Sequence, residues 1–96
     1  MNDTASPPNI LPDGYSRLNV TYLGQNGDLP DPILNDMNHD DVIRMTEEAI
    51  RTGGIPGIPA DPNVRLADFV VDKPFPPTES RPYWLRTVRP KTAYGT

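Results

Sequence analysis

Proline occupies thirteen of the 96 positions and limits where this chain can form regular structure. Because proline fixes φ and has no backbone N–H, it interrupts helices and cannot donate a hydrogen bond inside a sheet. The prolines fall mainly in the first 15 residues and in three later stretches, at residues 30–32, 56–62 and 74–82. Helices and strands are therefore expected in the windows between these stretches, which leave room for one small core.

The first window has the alternation of a β-strand. In RLNVTYLG, residues 17–24, the apolar residues Leu18, Val20 and Tyr22 alternate with polar ones, as in a strand with one buried face. The GQNG that follows favours a hairpin turn. DLPDPIL, residues 28–34, would return as the partner strand, and its two prolines predict that this strand lies at a sheet edge or is broken.

One amphipathic helix is predicted over residues 40–52. Asn38 can cap it, acidic residues fill its first turn, and glycine follows its last periodic residue. The residues that share its apolar face are Val42, Met45, Ala49 and Ile50.

Two later segments complete the predicted sheet. VRLADFVVD, residues 64–72, is apolar on both faces, which is typical of a central strand, and YWLRTV, residues 83–88, alternates as a last strand. Long proline-rich loops precede each of them. This order of elements predicts an α+β fold in which a mixed sheet of four or five strands carries one helix on one face.

Side chains of the last strand alternate between the two faces of the sheet, with Trp84, Arg86 and Val88 on one face and Tyr83, Leu85 and Thr87 on the other. If Leu85 lies in the core, Trp84 and Val88 form an exposed surface for a protein partner. If Trp84 lies in the core, the other set is exposed.

Composition argues against several classes of partner. The net charge is −4 and the pI is near 4.7, whereas phosphate binding needs a basic face, so nucleic acid is not expected as a partner. The chain has no cysteine, no signal peptide and no 18-residue apolar run. We therefore expect no membrane partner and a cytoplasmic location.

No catalytic or metal site is expected from the motifs. Asp36, Asn38, Asp40 and Glu47 occupy ligand positions of an EF-hand loop, but Asp41 stands where that loop needs glycine. The same acids and amides suit a helix N-terminus, and a calcium-binding module stays only as an alternative. No nucleophile accompanies His39, the one histidine, so an enzyme is not expected.

The C-terminal part of the chain differs in charge from the rest. Residues 81–96 contain four cations and no acidic residue, so the acidic excess lies entirely in the first 80 residues. This basic stretch ends in RPKTAYGT, in which glycine is the penultimate residue.

With these elements, the chain resembles the ubiquitin-like β-grasp family. The matching parts are RLNVTYLGQNGDLPDPIL for the hairpin, DDVIRMTEEAI for the helix, VRLADFVV for the third strand and YWLRTVRPKTAYG for the last strand and tail. LPDP and RPKTAYG are similar to bacterial ubiquitin-like proteins found beside activating-type enzymes and isopeptidases. Residues 1–15 are rich in Pro, Asn, Asp and Ser and have no apolar periodicity, which predicts a flexible leader. The resemblance implies a β-grasp domain at 16–88 and an extended tail at 89–96.

The resemblance implies a protein modifier. Its C-terminal glycine, Gly95, would be activated by a partner enzyme that uses ATP and then joined to target proteins by an isopeptide bond. An activating enzyme, a conjugating enzyme and an isopeptidase-type protease would be its partners, and it would need no cofactor of its own. The family's glycine pair is replaced here by a single Gly95 followed by Thr96, so either Thr96 is removed or the protein is not conjugated.

Tail residues would then recognise the activating enzyme. Arg86, Arg89 and Lys91 would bind an acidic docking surface, and Tyr94 would be an aromatic anchor next to the reactive glycine. Two alternatives share the fold. One is a non-conjugated β-grasp adaptor that binds a protein, and the other is a sulfur-carrier protein with a thiocarboxylate at Gly95.

Overall fold

A computed structural model describes residues 11–91 and confirms the α+β fold class, with one helix and a mixed five-stranded sheet. This arrangement is compatible with a β-grasp-like fold. The elements in chain order are β1 (Tyr15–Tyr22), β2 (Gln25–Asp28), β3 (Ile33–Leu34), α1 (His39–Arg51), β4 (Phe69–Val71) and β5 (Trp84–Pro90).

The first and last strands lie side by side in the middle of the sheet. The strand order is β2-β1-β5-β4, and β3 also pairs with β1. The β1 and β5 strands are parallel, in a register that runs from Ser16 opposite Trp84 to Val20 opposite Val88, and the other pairs are antiparallel. Since parallel neighbours need a crossover connection, α1 and the loops after it carry the chain back across the sheet.

Prolines divide the partner of β1 into two short strands, as the sequence predicts. The β2 strand pairs with the end of β1 and β3 with its beginning, while the Pro30–Pro32 segment between them belongs to neither. Leu29 still donates its N–H to the Leu18 carbonyl at 2.9 Å, so pairing stops where the prolines start.

The helix has the predicted N-cap and nearly the predicted bounds. The Asn38 side chain accepts the Asp41 N–H at 2.8 Å, which satisfies one of the unpaired donors of the first turn. Val42, Thr46 and Ile50 are its buried residues. Burial of Thr46 is not predicted by a hydrophobic pattern, and it is tolerated because the hydroxyl donates to the Val42 carbonyl at 2.7 Å.

Loops contribute nearly half of the buried apolar residues of the core. The buried apolar residues are Leu18, Val20, Tyr22, Leu29, Ile33, Val42, Ile50, Ile55, Ile58, Val64, Leu66 and Val88. Ile55 and Ile58 come from the Ile-Pro-Gly loop after α1, which packs along β2. This loop is therefore part of the folded body.

The prediction of a central strand over residues 64–72 is wrong. Only Phe69–Val71 forms a strand, and it lies at the edge of the sheet. Val64 and Leu66 are buried from an irregular segment, because turn hydrogen bonds join Val64 to Asp61 and Phe69 to Leu66. Their apolar side chains fill the core beneath the sheet without pairing in it.

The predicted domain limits of 16 and 88 fall close to the observed strands. The β1 strand begins one residue earlier, at Tyr15, and β5 continues through Arg89 to Pro90. Residues 1–10 of the predicted leader and 92–96 of the predicted tail lie outside the described residues. Within residues 11–91, no helix has the length and apolar character needed to cross a membrane.

Candidate functional site

The end of β5 leads in sequence into the predicted reactive tail. We call this region the strand exit and define it by Asp72, Thr87, Arg89 and Lys91. It is held by Asp72, whose carboxylate accepts the Arg89 Nε–H at 2.9 Å, the Arg89 Nη2–H at 3.1 Å and the Thr87 hydroxyl. The Asp72 N–H also donates to the Thr87 carbonyl at 2.9 Å. Such two-pronged arginine–carboxylate contacts fix geometry as well as charge.

The pairing of Asp72 with Arg89 shifts the pKa values of both groups. The hydrogen bonds from Arg89 are the main reason that the pKa of Asp72 lies below its ordinary value, and Thr87 and the Arg89 charge act in the same direction. Partial burial of Asp72 opposes them. The same contact raises the pKa of Arg89. Both groups are therefore charged at neutral pH, and Arg89 is engaged by the body.

We predict a pH-dependent contribution of Asp72 to stability. Because its folded pKa is below the ordinary 3.8, the contribution is complete above that value and is lost as the pH falls through the lower folded pKa. Asp72→Asn should therefore be less stable than the wild type at neutral pH, and the difference should vanish in acid. Urea unfolding of both proteins between about pH 7 and pH 2 measures this difference. A difference that stays constant over that range would contradict the assignment.

The prediction that Arg86 helps a partner enzyme to recognise the tail is wrong, because Arg86 is buried. It is only 6% exposed, and its guanidinium donates to the carbonyls of Met37 at 2.7 Å, Asn35 at 3.3 Å and Asp72 at 3.3 Å. Burial lowers its pKa. Arg86 lies on the core-facing side of β5, so it joins the segment before α1 to the sheet and cannot reach an enzyme.

The predicted partner surface of Trp84 and Val88 is also wrong, because Val88 is 0% exposed. Both residues lie on the helix side of the sheet, but Val88 belongs to the core cluster whereas Trp84, at the start of the strand, is 37% exposed. Only Trp84 remains accessible. Leu85 on the other face is half-buried.

Of the remaining predicted tail residues, some lie within the described residues 11–91 and the others lie outside them. Lys91 is exposed at the strand exit. Tyr94, Gly95 and Thr96 lie outside the described residues, so the predictions made for them stay predictions. Arg89 belongs to the strand, and its guanidinium is bound by Asp72.

The EF-hand alternative finds no support in the described residues. Asn38 is used as the helix cap, and His39 lies 3.5 Å from Asp40 on an exposed surface. Among residues 11–91, no three His, Cys, Asp or Glu side chains are grouped so that they could hold a metal ion.

A second accessible site lies at the other end of β5, and Trp84 is the only one of its residues that the sequence analysis assigned to a partner surface. A cavity of about 220 Å³ is lined by Pro12, Asp13, Tyr15, Pro82, Tyr83 and Trp84, among others, and we call it the aromatic pocket. Its signal in the sequence is the adjacent aromatic pair Tyr83 and Trp84, which follows Pro82. The parallel register that brings Ser16 opposite Trp84, and so places Tyr15 nearby, has no local signal.

The chain therefore presents two functional candidates, the strand exit and the aromatic pocket, at opposite ends of one central strand. Comparisons with protein-family models, with curated proteins and with solved structures gave no match.

Proposed function

We propose that this chain is a cytoplasmic ubiquitin-like protein modifier that is activated at Gly95 and attached to target proteins. The proposal combines the resemblance in the sequence with a fold compatible with the β-grasp plan. The single observation that carries it is the position of β5, a central strand whose end leads directly into the segment that contains Gly95.

A modifier needs a rigid body from which its reactive terminus extends. The β5 strand pairs with β1 as far as Val88, and its last residues, Arg89 and Pro90, pair with β4. Because Asp72 holds the Arg89 guanidinium by two hydrogen bonds, the direction of the chain at the strand exit is set by the body. The exposed Lys91 is the first residue after the strand.

The proposed chemistry takes place in partner enzymes. A protease first hydrolyses the Gly95–Thr96 peptide bond, which releases threonine and leaves a free carboxylate on Gly95. This carboxylate attacks the α-phosphate of ATP, releases pyrophosphate and forms an acyl adenylate in the activating enzyme. A nucleophile on the next enzyme, and finally a lysine amine of the target, takes the acyl group in successive steps, and AMP leaves in the first of them. Glycine suits this position because no Cβ hinders approach to the carbonyl carbon. Lys91 and Tyr94 are the tail residues proposed to bind the activating enzyme.

We predict that conjugation depends on Gly95. N-terminally tagged protein produced in the organism that encodes it should appear in additional bands of higher mass on denaturing gels. Gly95→Ala should reduce these bands at least tenfold, because the extra methyl group crowds the reacting carbonyl. Ala93→Gly, in the same tail, is the matched control and should keep them.

Other outcomes distinguish the alternatives. Deletion of Thr96 should leave conjugation intact if Thr96 is normally removed. Bands that persist in Gly95→Ala would contradict the proposal. Replacement of one oxygen by sulfur in the intact mass would identify a sulfur carrier. A partner that binds the wild-type chain, when that chain forms no covalent adduct in the cell, would identify an adaptor.

A further inference from the structure

The turn that joins β1 to β2 contains a leucine in an unfavourable backbone conformation. Tyr22 pairs with Gln25, so the turn consists of Leu23 and Gly24 alone. Both residues have positive φ, +50° at Leu23 and +78° at Gly24. Two-residue hairpin turns with this geometry favour asparagine, aspartate or glycine at the first position. Leucine is uncommon there because its Cβ lies too close to the following carbonyl oxygen.

The fold gains little from the Leu23 side chain. This side chain is 75% exposed, more than that of any other large hydrophobic residue in the described chain. Among residues 11–91, Leu23 belongs neither to the core cluster nor to the partly buried residues that pack against it. Backbone strain that persists without a benefit to the core points to a function outside the core.

The surface beside Leu23 is apolar. A cavity of about 380 Å³ is lined there by Tyr22, Leu23, Gln25, Pro59, Ala60 and Asp61. Its one carboxylate, that of Asp61, is already bound, since it accepts the Tyr22 hydroxyl at 2.6 Å and the Asn63 N–H at 2.9 Å. Residues 52–60 contain no charged side chain. We call the exposed surface of Leu23, Pro59 and Ala60 the hairpin tip, and its composition suits an apolar part of a partner.

The hairpin tip lies at the same end of the sheet as the strand exit. The β1 and β5 strands are parallel neighbours with Val20 opposite Val88, and Leu23 and Lys91 each follow three residues later. The described chain has three other exposed large hydrophobic residues, and all of them lie near the beginnings of β1 and β5: Leu34, Phe75 and Trp84. Of these four residues, Leu23 alone lies at the end where Lys91 is found.

The length of the tail determines how close an enzyme must come to this end. An extended residue spans at most about 3.6 Å, so Gly95, four residues after Lys91, lies within about 14 Å of it. Active sites are concave, and their walls extend beyond the reacting atoms. An enzyme that acts on Gly95 must therefore bring part of its surface against the end of the body that carries the hairpin tip.

We propose that the hairpin tip is a second contact for the activating enzyme, an inference that rests on the modifier function proposed above. The enzyme buries Leu23 in an apolar pocket that lies beside the acidic surface for Lys91. Burial of the exposed leucine supplies affinity, and the charge of Lys91 contributes specificity. The body of the protein thus takes part in recognition together with the tail.

Leu23→Asn separates this contact from the stability of the fold. Asparagine tolerates the left-handed conformation, so the variant should unfold at the same urea concentration as the wild type or at a higher one. The tagged variant, produced in the organism that encodes the chain, should show all the Gly95-dependent bands reduced at least fivefold, because activation precedes every attachment. Leu23→Met keeps an apolar side chain and should retain most of the bands.

Leu34→Asn is the matched control. It makes the same chemical change at an exposed leucine that pairs opposite Tyr15, at the other end of the sheet. Its bands should equal those of the wild type. Circular dichroism verifies that each variant is folded, and Gly95→Ala identifies the bands that depend on Gly95.

Failure of this inference and failure of the modifier function give different results. If Gly95-dependent bands are present in the wild type and equally strong in Leu23→Asn, the modifier function stands and the inference is overturned. If the wild type has no such bands, the modifier function fails and the inference fails with it.

Three further results would overturn the inference alone. Loss of only some bands would place Leu23 against individual target proteins. Unfolding of Leu23→Asn at a clearly lower urea concentration would show that the side chain serves the fold. A wild-type dimer that becomes monomeric in Leu23→Asn, measured by sedimentation, would assign the hairpin tip to a second copy of the chain.

Discussion

Gly57→Ala is expected to destabilise the protein by about 3 kcal/mol, from backbone strain and overpacking together. Gly57 has φ +94°, a conformation that side chains rarely adopt, and an added Cβ would lie 2.6 Å from the Asn26 carbonyl oxygen. The loop after α1 and β2 approach each other closely at this point, so neither can shift without disturbing Ile55 and Ile58 in the core.

The other glycines separate the two causes. Gly27→Ala has no positive φ, but its Cβ would meet the Pro56 carbonyl oxygen at 2.1 Å, so it should cost about 2–3 kcal/mol through the clash alone. Gly14 has φ +84°, and an added Cβ there would have no atom within 4 Å, so Gly14→Ala should cost about 1–2 kcal/mol through strain alone. Gly54→Ala has neither problem and should be close to neutral.

Urea unfolding followed by Trp84 fluorescence gives the free energy of unfolding for all four variants. The expected order of destabilisation is Gly57 and Gly27 first, then Gly14, then Gly54. If Gly27→Ala were as stable as Gly54→Ala, the loop would not pack against β2 as described, and the assignment of Ile55 and Ile58 to the core would be wrong.

Arg86→Met should cost about 3 kcal/mol because it leaves three carbonyl oxygens without their donor. Replacing a buried charge by an apolar residue of similar size is often neutral, since the desolvation of the charge is avoided. Here the carbonyls of Asn35, Met37 and Asp72 belong to the backbone and stay in place, so only one side of each hydrogen bond is removed. We expect the loss of these hydrogen bonds to outweigh the stabilisation gained by no longer burying a charge.

Arg89→Met is the matched control, three residues further along β5. Arg89 is about half exposed, and its ion pair with Asp72 faces water. Arg89→Met should therefore lower the free energy of unfolding much less than Arg86→Met does. Thermal and urea unfolding of both variants measure the contrast. Equal losses, or a more stable Arg86→Met, would mean that desolvation dominates and that Arg86 does not hold the segment before α1.

The sequence predicted those helices and strands whose formation depends on residues close to one another in the chain. Alternation located β1 and β5, and the capping residue and apolar spacing located α1 to within one residue at each end. The break at Pro30–Pro32 followed from missing donors. These features depend on neighbouring residues only.

Features that depend on distant residues were missed. Val64 and Leu66 have the composition of a strand, but the turn that follows them takes them into the core from a loop. Arg86 was assigned to the surface because of its charge, and its burial depends on carbonyls about 50 positions away in sequence, at Asn35 and Met37. The aromatic pocket likewise needs the parallel register of β1 and β5.

The candidate site at the strand exit was predicted in part. Lys91 is exposed as expected, whereas Arg86 and Arg89 are occupied by contacts within the body. The proposed recognition of the tail therefore depends on Lys91 and on the residues after it. No pattern in the sequence indicates that Asp72 binds Arg89. The two residues are 17 positions apart, and a proline-rich loop lies between them.

The most direct measurement of conjugation at Gly95 is mass spectrometry of a tryptic digest from the organism that encodes this chain. Trypsin cleaves after Lys91, so a modified target would carry Thr-Ala-Tyr-Gly, residues 92–95, on a lysine side chain. We predict that lysines with this remnant are present in cells with the wild-type protein and absent with Gly95→Ala. Recovery of this protein only with Gly95 still joined to Thr96, and no lysine that carries the remnant, would contradict the proposal.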